Sequence, residues 1–268
     1  MTDPHAQFTA DIPYHYDRHL GPFFFEPYAR DMAARVAAVR PIGVLEVACG
    51  TGILTHALRA AMGHAVQLVA TDLNQPMIDH ARAKPGGDAI AWHQADGTQL
   101  PFPDRSFDVV VSQFGYMFFP DKVAGFREAA RVLAPGGRLM FSVWSSLDEN
   151  PSGSVTHHVL AALFPADPPT FSRVPFAYHD ETAIRRDLAA AGFGRVAIER
   201  RVVDSEVGSA AGVATGLVRG TPMFHVLTER GADLEAVERE IARRLAEVGG
   251  SSPLTIRLDA KIVTAEVE

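Results

Sequence analysis

The chain has 268 residues, of which 47% are hydrophobic and 21% are charged. This balance is typical of a globular domain and excludes a coiled coil or a chain without ordered structure. The formal net charge of −7 argues against nucleic acid as a partner, because an acidic chain gains nothing from the release of counterions around phosphate groups. The single cysteine, Cys49, excludes an internal disulfide and a cysteine-rich zinc site.

The N-terminal sequence MTDPHAQFTADIP has acidic residues where a signal peptide has a basic region, so no signal peptide is expected. The most apolar stretch, residues 107–119, is interrupted by Asp108, Ser112 and Gln113 and is too short to cross a bilayer. We therefore expect a cytoplasmic protein without a membrane partner.

Strand and helix patterns alternate through the first half of the chain. Three helices are predicted: 26–40, a segment from Asn74 to Pro85, and one that is capped by Asp121 and ends at Pro135-Gly136-Gly137. Such alternation is typical of a doubly wound α/β fold with a mostly parallel sheet. The short apolar runs that predict buried parallel strands are 44–47, 66–71, 89–93, 107–112 and 138–144.

The pattern changes after Trp144. Residues 145–179 contain five prolines and one short helical stretch at 155–163, which indicates an insertion over the sheet. The remaining segments predict a helix at 181–191, a strand at 194–204, a mostly helical region at 210–250 and a last strand at 255–267. The sheet therefore has seven predicted strands.

A turn of small residues follows the first strand in VLEVACGTG, residues 44–52. Gly50 and Gly52 allow a ligand to approach the backbone, with the first amides of the next helix facing it. About twenty residues later, LVATD ends in Asp72, whose carboxylate can accept hydrogen bonds from both hydroxyls of a ribose. Glu46 and Asp72 can also serve as plain helix caps.

A nicotinamide cofactor is the competing interpretation of this turn. The third glycine of the GxGxxG fingerprint falls on Thr55, and the acidic Glu46 stands inside the preceding strand. The fingerprint therefore fails. An NAD(P)-dependent oxidoreductase is retained only as an alternative.

The chain resembles the class I S-adenosylmethionine-dependent methyltransferases, and within them the branch of the ubiquinone/menaquinone C-methyltransferases. VLEVACGTG is similar to the first motif of the family, with Ala48 where glycine is commoner, and Asp72 matches the acidic residue after the second strand. QADGTQLPFPDRSFDVV (94–110) and EAARVLAPGGRLMFSVW (128–144) match two further segments in the right order. The resemblance implies a Rossmann-like sheet with a helical cap inserted after strands 5 and 6.

The resemblance also implies S-adenosylmethionine as cofactor and S-adenosylhomocysteine as product. Asp96 and the Gly97 amide would contact the adenine, and the carbonyls after the fourth strand would face the methionine amine and the sulfonium. Tyr16 is the candidate for the methionine carboxylate. The predicted cofactor residues are Tyr16, Glu46, Ala48, Gly50, Gly52, Asp72, Leu73, Met77, Asp96, Gly97, Thr98, Gln113 and Phe114.

The acceptor pocket is predicted to include Phe24, Tyr116, Tyr178 and His225. No residue is assigned as catalytic, because the cofactor brings its own leaving group and a base is needed only for an acceptor that must lose a proton. No metal site is expected, since the neighbouring His157 and His158 lack a third ligand. The possible proton acceptors, none of which is chosen, are His15, His19, His179, His225, Tyr14, Tyr16 and Tyr178.

The implied organisation divides the chain into six segments. They are an N-terminal helical or cap segment (1–40), a cofactor-binding core (41–145), a cap insertion (146–180), a core helix and strand (181–204), a helical cap insertion (205–252) and a final core strand (253–268).

The predicted reaction is methyl transfer to an oxygen, nitrogen, sulfur or carbon nucleophile of a small, apolar or aromatic molecule, by a monomer or homodimer. Nucleic-acid methylation is not favoured, because SQFGY (112–116) stands where such enzymes have an Asn/Asp-Pro-Pro-aromatic motif. An aminopropyl transferase would have an acidic acceptor region there. A catalytically silent S-adenosylmethionine-binding protein stays open as an alternative.

Overall fold

A computed structural model describes residue 8 and residues 11–267. Within that part of the chain, seven strands form one sheet in the order β3–β2–β1–β4–β5–β7–β6. The strands are β1 (Gly43–Val47), β2 (Gln67–Asp72), β3 (Ala91–Gln94), β4 (Phe107–Gln113), β5 (Leu133–Trp144), β6 (Phe193–Val207) and β7 (Leu254–Val267).

Strands β1 to β5 pair in parallel, whereas β7 runs antiparallel between β5 and β6. All five residues of β1 are buried, as expected for a parallel strand that is covered on both faces. The predicted seven-stranded, mostly parallel α/β fold is confirmed.

Helices cover the sheet, and several begin at the residues that the sequence indicates. Asp121 accepts a hydrogen bond from the amide of Ala124 at 2.9 Å, and Asp233 accepts one from Ala236 at 3.0 Å. Each bond satisfies an amide that has no partner within its helix. The helices are α1 (Ile12–His15), α2 (Glu26–Val39), α3 (Ile53–Met62), α4 (Gln75–Arg82), α5 (Lys122–Val132), α6 (Pro151–Leu163), α7 (Glu181–Ala190), α8 (Ala210–Arg219), α9 (Met223–Glu229) and α10 (Leu234–Gly249).

Two local features differ from the sequence-based expectation. The Pro135-Gly136-Gly137 segment does not end α5, because the helix stops at Val132 and β5 begins at Leu133. The second feature is a π-helical segment at Tyr16–Phe25, which joins α1 to α2 and contains Pro22. A proline has no amide hydrogen to donate, and it disturbs the regular hydrogen bonding of an α-helix.

The π-helical segment packs against α8, and α10 packs against both α6 and α8. The π-helical segment, α6 and α8 line one cavity together with residues at the carboxyl ends of β4 and β5, the edge at which ligands bind in open α/β sheets. Among the described helices, none combines the length and the apolar character needed to cross a membrane.

Candidate active site

The glycine turn between β1 and α3 has three residues with positive φ. They are Ala48 at 57°, Gly50 at 55° and Gly52 at 77°. A Cβ on Gly50 would meet no atom within 4 Å, so this glycine leaves open space beside the backbone. Ala48 carries a side chain in the left-handed region, which glycine adopts at lower energy.

Asp72, the last residue of β2, fixes this turn. Its Oδ2 accepts a hydrogen bond from the amide of Gly50 at 2.8 Å, and its Oδ1 accepts one from the amide of Asn74 at 2.8 Å. Burial raises the pKa of Asp72, and the bonds from Asn74 and Gly50 oppose that shift. Oδ1 also accepts a hydrogen bond from the side-chain amide of Asn74 at 3.3 Å, whereas Oδ2 retains a lone pair for a further donor.

Glu46 lies in β1 just before the turn and is 1% exposed. Its Oε2 and the hydroxyl of Thr55 are both buried without a hydrogen-bond partner. Burial, with a smaller contribution from the charge of Asp72, raises the pKa of Glu46 to about 8, although the neighbouring Thr55 hydroxyl opposes this shift. Glu46 is therefore a carboxyl group whose proton is retained near neutral pH.

A second turn follows β3 at Asp96. Its Oδ1 accepts hydrogen bonds from the amide of Thr98 at 2.8 Å and from the Thr98 hydroxyl at 2.7 Å. A Cβ on Gly97 would lie 2.5 Å from the ring of Phe119, so only glycine fits against that ring. The second oxygen of Asp96 remains available to an outside donor.

The third turn follows β4. Phe114 has a φ of 56°, and its amide donates to the carbonyl oxygen of Ser142 at 3.1 Å. Gln113 donates from Nε2 to the carbonyl oxygen of Phe25 at 3.2 Å. Its Oε1 is buried without a partner. The positive φ of Phe114 is a strained backbone conformation. Such strain persists where the surrounding structure holds it, often at functional sites.

These three turns enclose a cavity of about 260 Å3. It is lined by eleven predicted cofactor residues: Tyr16, Ala48, Gly50, Asp72, Leu73, Met77, Asp96, Gly97, Thr98, Gln113 and Phe114. Glu46 and Gly52 do not line it. A Cβ on Gly52 would lie 2.9 Å from that of Ala81, so this glycine is needed for packing against α4. The contacts of these residues with a cofactor stay a prediction.

The π-helical segment is attached to the glycine turn by Asp17. Its carboxylate accepts a hydrogen bond from the Thr51 hydroxyl at 2.8 Å, forms an ion pair with Lys84, and lies 3.4 Å from Nε2 of His80. This places Tyr16, the preceding residue, at the cavity. Burial raises the pKa of Tyr16, and the charges of Asp72 and Asp17 add to the effect.

A second cavity of about 110 Å3 adjoins the first. Its walls come from the π-helical segment, the end of β5, the start of α6, a 3-10 turn at Phe171–Phe176, and the α8–α9 region. The residues that line both cavities are Phe8, Tyr16, Phe114 and Phe118.

Nine of the twenty described residues that line the second cavity are aromatic. The rings of Phe114 and Trp144 stack with their centroids 3.9 Å apart and their planes 8° from parallel. Tyr28 packs edge-on against both rings at 5.4 Å, and Phe24 packs edge-on against Trp144 at 6.0 Å. Such a wall suits an apolar or aromatic ligand.

The four residues predicted for the acceptor pocket are not all brought together. Phe24 lines the second cavity, whereas Tyr116, Tyr178 and His225 do not. Tyr116 is 1% exposed and packs between Phe119, Phe126 and Phe141 in the core. Tyr178 instead donates a hydrogen bond to Asp187 at 3.0 Å.

The described walls of the two cavities contain no histidine. His157 is partly buried, and its Nδ1 lies 3.2 Å from the hydroxyl of Ser172. Ser172 in turn lines the second cavity. Within residues 8 and 11–267, no group of three or more His, Cys, Asp or Glu side chains is arranged to hold a metal ion. Cys49 is buried, and burial raises the pKa of its thiol.

The sequence did not indicate Phe8, Trp144, Ser152 or Phe176 as residues of the site. Trp144 had a usable signal, because it ends β5 at the same sheet edge as Asp72 and Gln113. The other three lie outside the sheet, and only the packing of the cap brings them to the cavity.

Residues 44–137 match the model of a family described as a methyltransferase domain. This segment contains the three turns that enclose the first cavity. This part of the chain is a methyltransferase domain. The resemblance found in the sequence motifs is thereby confirmed.

Curated relatives of this methyltransferase domain act on different acceptors, as their names state. The demethylmenaquinone methyltransferase of Deinococcus radiodurans is 40% identical over 115 residues, which are 42% of this chain and 47% of the relative. The malonyl-(acyl-carrier protein) O-methyltransferase of Hahella chejuensis is 42% identical over 102 residues, 38% of this chain and 36% of that protein. The chain thus spans about half the length of the first relative and about a third of the length of the second.

Solved structures share the fold over more of the chain. The YcgJ protein of Bacillus subtilis has a TM-score of 0.59 and 18% identity, covering 90% of this chain and 99% of that one. The (4+2)-cyclase SpnF has a TM-score of 0.56 and 22% identity, covering 90% of this chain and 81% of its own. A cyclase with this architecture shows that the fold alone does not fix the reaction.

Proposed function

We propose that this chain is an S-adenosylmethionine-dependent methyltransferase that transfers a methyl group to a small apolar or aromatic molecule. The observation that carries the proposal is the wall that the first, more polar cavity shares with the second, aromatic one, formed by Phe8, Tyr16, Phe114 and Phe118. A methyl donor in the first cavity and an acceptor in the second would meet at this wall. The acceptor atom is left open as oxygen, nitrogen, sulfur or carbon.

The first cavity fits this cofactor through the hydrogen-bonding capacity that its residues retain. Asp72 would accept a ribose hydroxyl with the remaining lone pair of Oδ2, and Asp96 would accept from the adenine amino group with the oxygen that Thr98 does not use. Leu73 is 38% exposed, so it offers apolar surface to the adenine ring. Gln113 Oε1, buried without a protein partner, would accept from the methionine amine.

When bound, S-adenosylmethionine supplies an electrophilic methyl group on a positively charged sulfur. The rings of Phe114 and Phe118 in the shared wall favour a positive charge beside them. The aromatic lining of the second cavity excludes water from the nucleophile, which raises its reactivity. The residues of the chain thereby orient and desolvate the two reactants, and this is most of what the reaction needs.

Binding of the cofactor is tested by calorimetric titration of S-adenosylmethionine and S-adenosylhomocysteine. We expect micromolar binding to the wild-type chain and affinity that is about 10–100-fold weaker for Asp72→Ala, because hydrogen bonds to a charged group are lost. Asp79→Ala is the matched control, since Asp79 is exposed on α4 and its side chain accepts a hydrogen bond from Gln75 on the same helix. It should bind like the wild type.

The reaction is tested with radiolabelled S-adenosylmethionine and panels of quinols, phenols, amines and thiols. Transfer of the label to a member of these panels is the expected result. Tight binding without transfer would favour the catalytically silent alternative. Binding of NADH in place of S-adenosylhomocysteine would overturn the proposal in favour of an oxidoreductase.

A further inference from the structure

The second cavity is apolar except for a few side chains, most of which belong to α6 or its N-cap. Besides Tyr16 in the shared wall, the polar side chains that line it are those of Asn150, Ser152, Thr156, Ser172 and Thr221. Three of these five belong to the start of α6 or to its N-cap, Asn150. A ligand with both an apolar body and a polar atom would therefore place that atom here.

Four of these five side chains are engaged within the protein. Asn150 donates to the carbonyl oxygen of Asp259 at 3.0 Å and accepts from the Asp259 amide at 2.9 Å. The Thr156 hydroxyl donates to the carbonyl oxygen of Ser152 at 2.8 Å, and that of Thr221 donates to the carbonyl oxygen of Leu217. The hydroxyl of Ser172 is bonded to His157.

Ser152 is the exception. Its side chain is 1% exposed, and its Oγ is buried with no hydrogen-bond partner among the residues that the structure describes. An unpaired hydroxyl in an apolar environment destabilises a folded protein, because it has lost its hydrogen bonds to water and gained none in the protein. An oxygen atom of a ligand would accept the hydrogen bond and remove this penalty.

The position of Ser152 favours a ligand atom that accepts a hydrogen bond over one that donates a hydrogen bond. Ser152 lies in the first turn of α6, a helix of 13 residues, where backbone amides have no partner within the helix and the helix dipole favours negative charge. Ser152 and the neighbouring Gly153 both line the cavity. The dipole of α6 and the unpaired Ser152 hydroxyl thus both favour an oxygen atom that carries negative charge and accepts a hydrogen bond.

We propose that Ser152 is a specificity-determining residue, which donates a hydrogen bond to a carbonyl, phenolate or other acceptor oxygen of the methyl-accepting molecule. This inference rests on the proposed function, because it takes the aromatic cavity to be the acceptor site. Ser152 lines that cavity alone and not the first. It therefore orients the acceptor and does not contact the cofactor.

The test measures binding of 1-indanone and indane, which differ only in one carbonyl oxygen, by equilibrium dialysis with saturating S-adenosylhomocysteine. We expect the wild type to bind 1-indanone about tenfold more tightly than indane, since a site with a free donor rejects a ligand that leaves it unpaired. In Ser152→Ala this preference should fall to about twofold or less. The affinity for indane should be retained.

Two further variants control this test. Ser154→Ala changes a hydroxyl on the same helix that bonds His158 and does not line the cavity, so it should retain the tenfold preference. Ser152→Cys keeps nearly the same size with a weak donor and should lose most of the preference even if the alanine variant folds poorly. The melting temperature of Ser152→Ala should not fall, because the hydroxyl that is removed has no partner.

A tenfold preference that persists in both Ser152 variants would overturn the inference. Failure of both ligands to bind a protein that binds S-adenosylhomocysteine would also overturn it and leave the cofactor proposal intact. If S-adenosylhomocysteine itself does not bind, the proposed function fails. Equilibrium dialysis without S-adenosylhomocysteine still measures whether the second cavity prefers 1-indanone to indane.

Discussion

Glu46 shows at the scale of one residue how a binding turn carries a cost in stability. Its carboxyl group is buried in β1, has one oxygen without a partner, and has a pKa raised to about 8. The folded protein thus retains a proton that the unfolded chain releases near its ordinary pKa of 4.5. The free energy of unfolding must therefore fall as the pH rises between these two values.

Replacement of Glu46 by glutamine removes this dependence. We expect Glu46→Gln to be more stable than the wild type at pH 9 by on the order of a few kcal/mol, and the difference to shrink towards pH 5. Urea denaturation at both pH values measures it. Glu235→Gln, a change at an exposed carboxylate on α10, should give a curve parallel to that of the wild type. A constant difference between Glu46→Gln and wild type would contradict the raised pKa.

The sequence predicted single residues well where one strand and its turn determine their position. Asp72 ends β2 and Asp96 follows β3. The alternation of strands and helices was therefore enough to predict that both lie at the carboxyl edge of the sheet. Tyr116 was assigned to the acceptor pocket because aromatic residues follow β4. It lies in the core instead, since the 3-10 turn at Tyr116–Phe118 directs its ring towards Phe126.

At the scale of elements, the turns after β1 and β4 are packed directly against one another. A Cβ on Gly115 would lie 2.6 Å from the Cβ of Ala48 and 2.6 Å from the hydroxyl oxygen of Ser112. Contacts under 3 Å cannot be accommodated unless one turn moves. The shape of the cofactor cavity therefore depends on small residues on both sides of this contact.

We expect Gly115→Ala to lower the free energy of unfolding by about 1–3 kcal/mol, as overpacking of a core does, and to weaken S-adenosylhomocysteine binding. Ala48→Gly removes one of the two clashes and relieves a positive φ, so the double variant should recover part of both losses. A double-mutant cycle in urea denaturation and calorimetry measures the coupling. Strictly additive effects would contradict direct packing of the two turns.

The π-helical segment is the element that sequence reasoning did not find. Its sequence YDRHLGPFFF contains Gly21 and Pro22, and a pattern with both residues predicts a break in a helix. The structure continues through them because buried Leu20, Phe23 and Phe24 pack against the rest of the protein. Tertiary contacts of this kind cannot be read from local sequence.

At the scale of the whole molecule, the two cavities join parts of the chain that are distant in sequence. Phe8, Trp144, Phe176 and Met223 all line the second cavity. The parallel sheet could be predicted because each strand carries its own apolar pattern. The aromatic cavity could not, because its residues come from separate cap elements whose relative positions are set only by packing.

Because Tyr16 from the N-terminal segment and Asp72 and Gln113 from the sheet line the same cavity, a ligand bound there holds these parts of the fold together. S-adenosylhomocysteine at 100 times its Kd should raise the free energy of unfolding by about 2.7 kcal/mol. For a chain of this size, that is a rise in Tm of about 5–10 °C. Thermal unfolding with and without the ligand measures it.

The Asp72→Ala variant serves as the control for this thermal shift. At the same ligand concentration its Tm should move by about half as much as that of the wild type or less, because an affinity loss of about 10–100-fold leaves the ligand at no more than about ten times the new Kd. NADH should leave the Tm of the wild type unchanged. An equal shift in the wild type and Asp72→Ala would mean that the ligand stabilises the fold from somewhere other than the cavity at the end of β2.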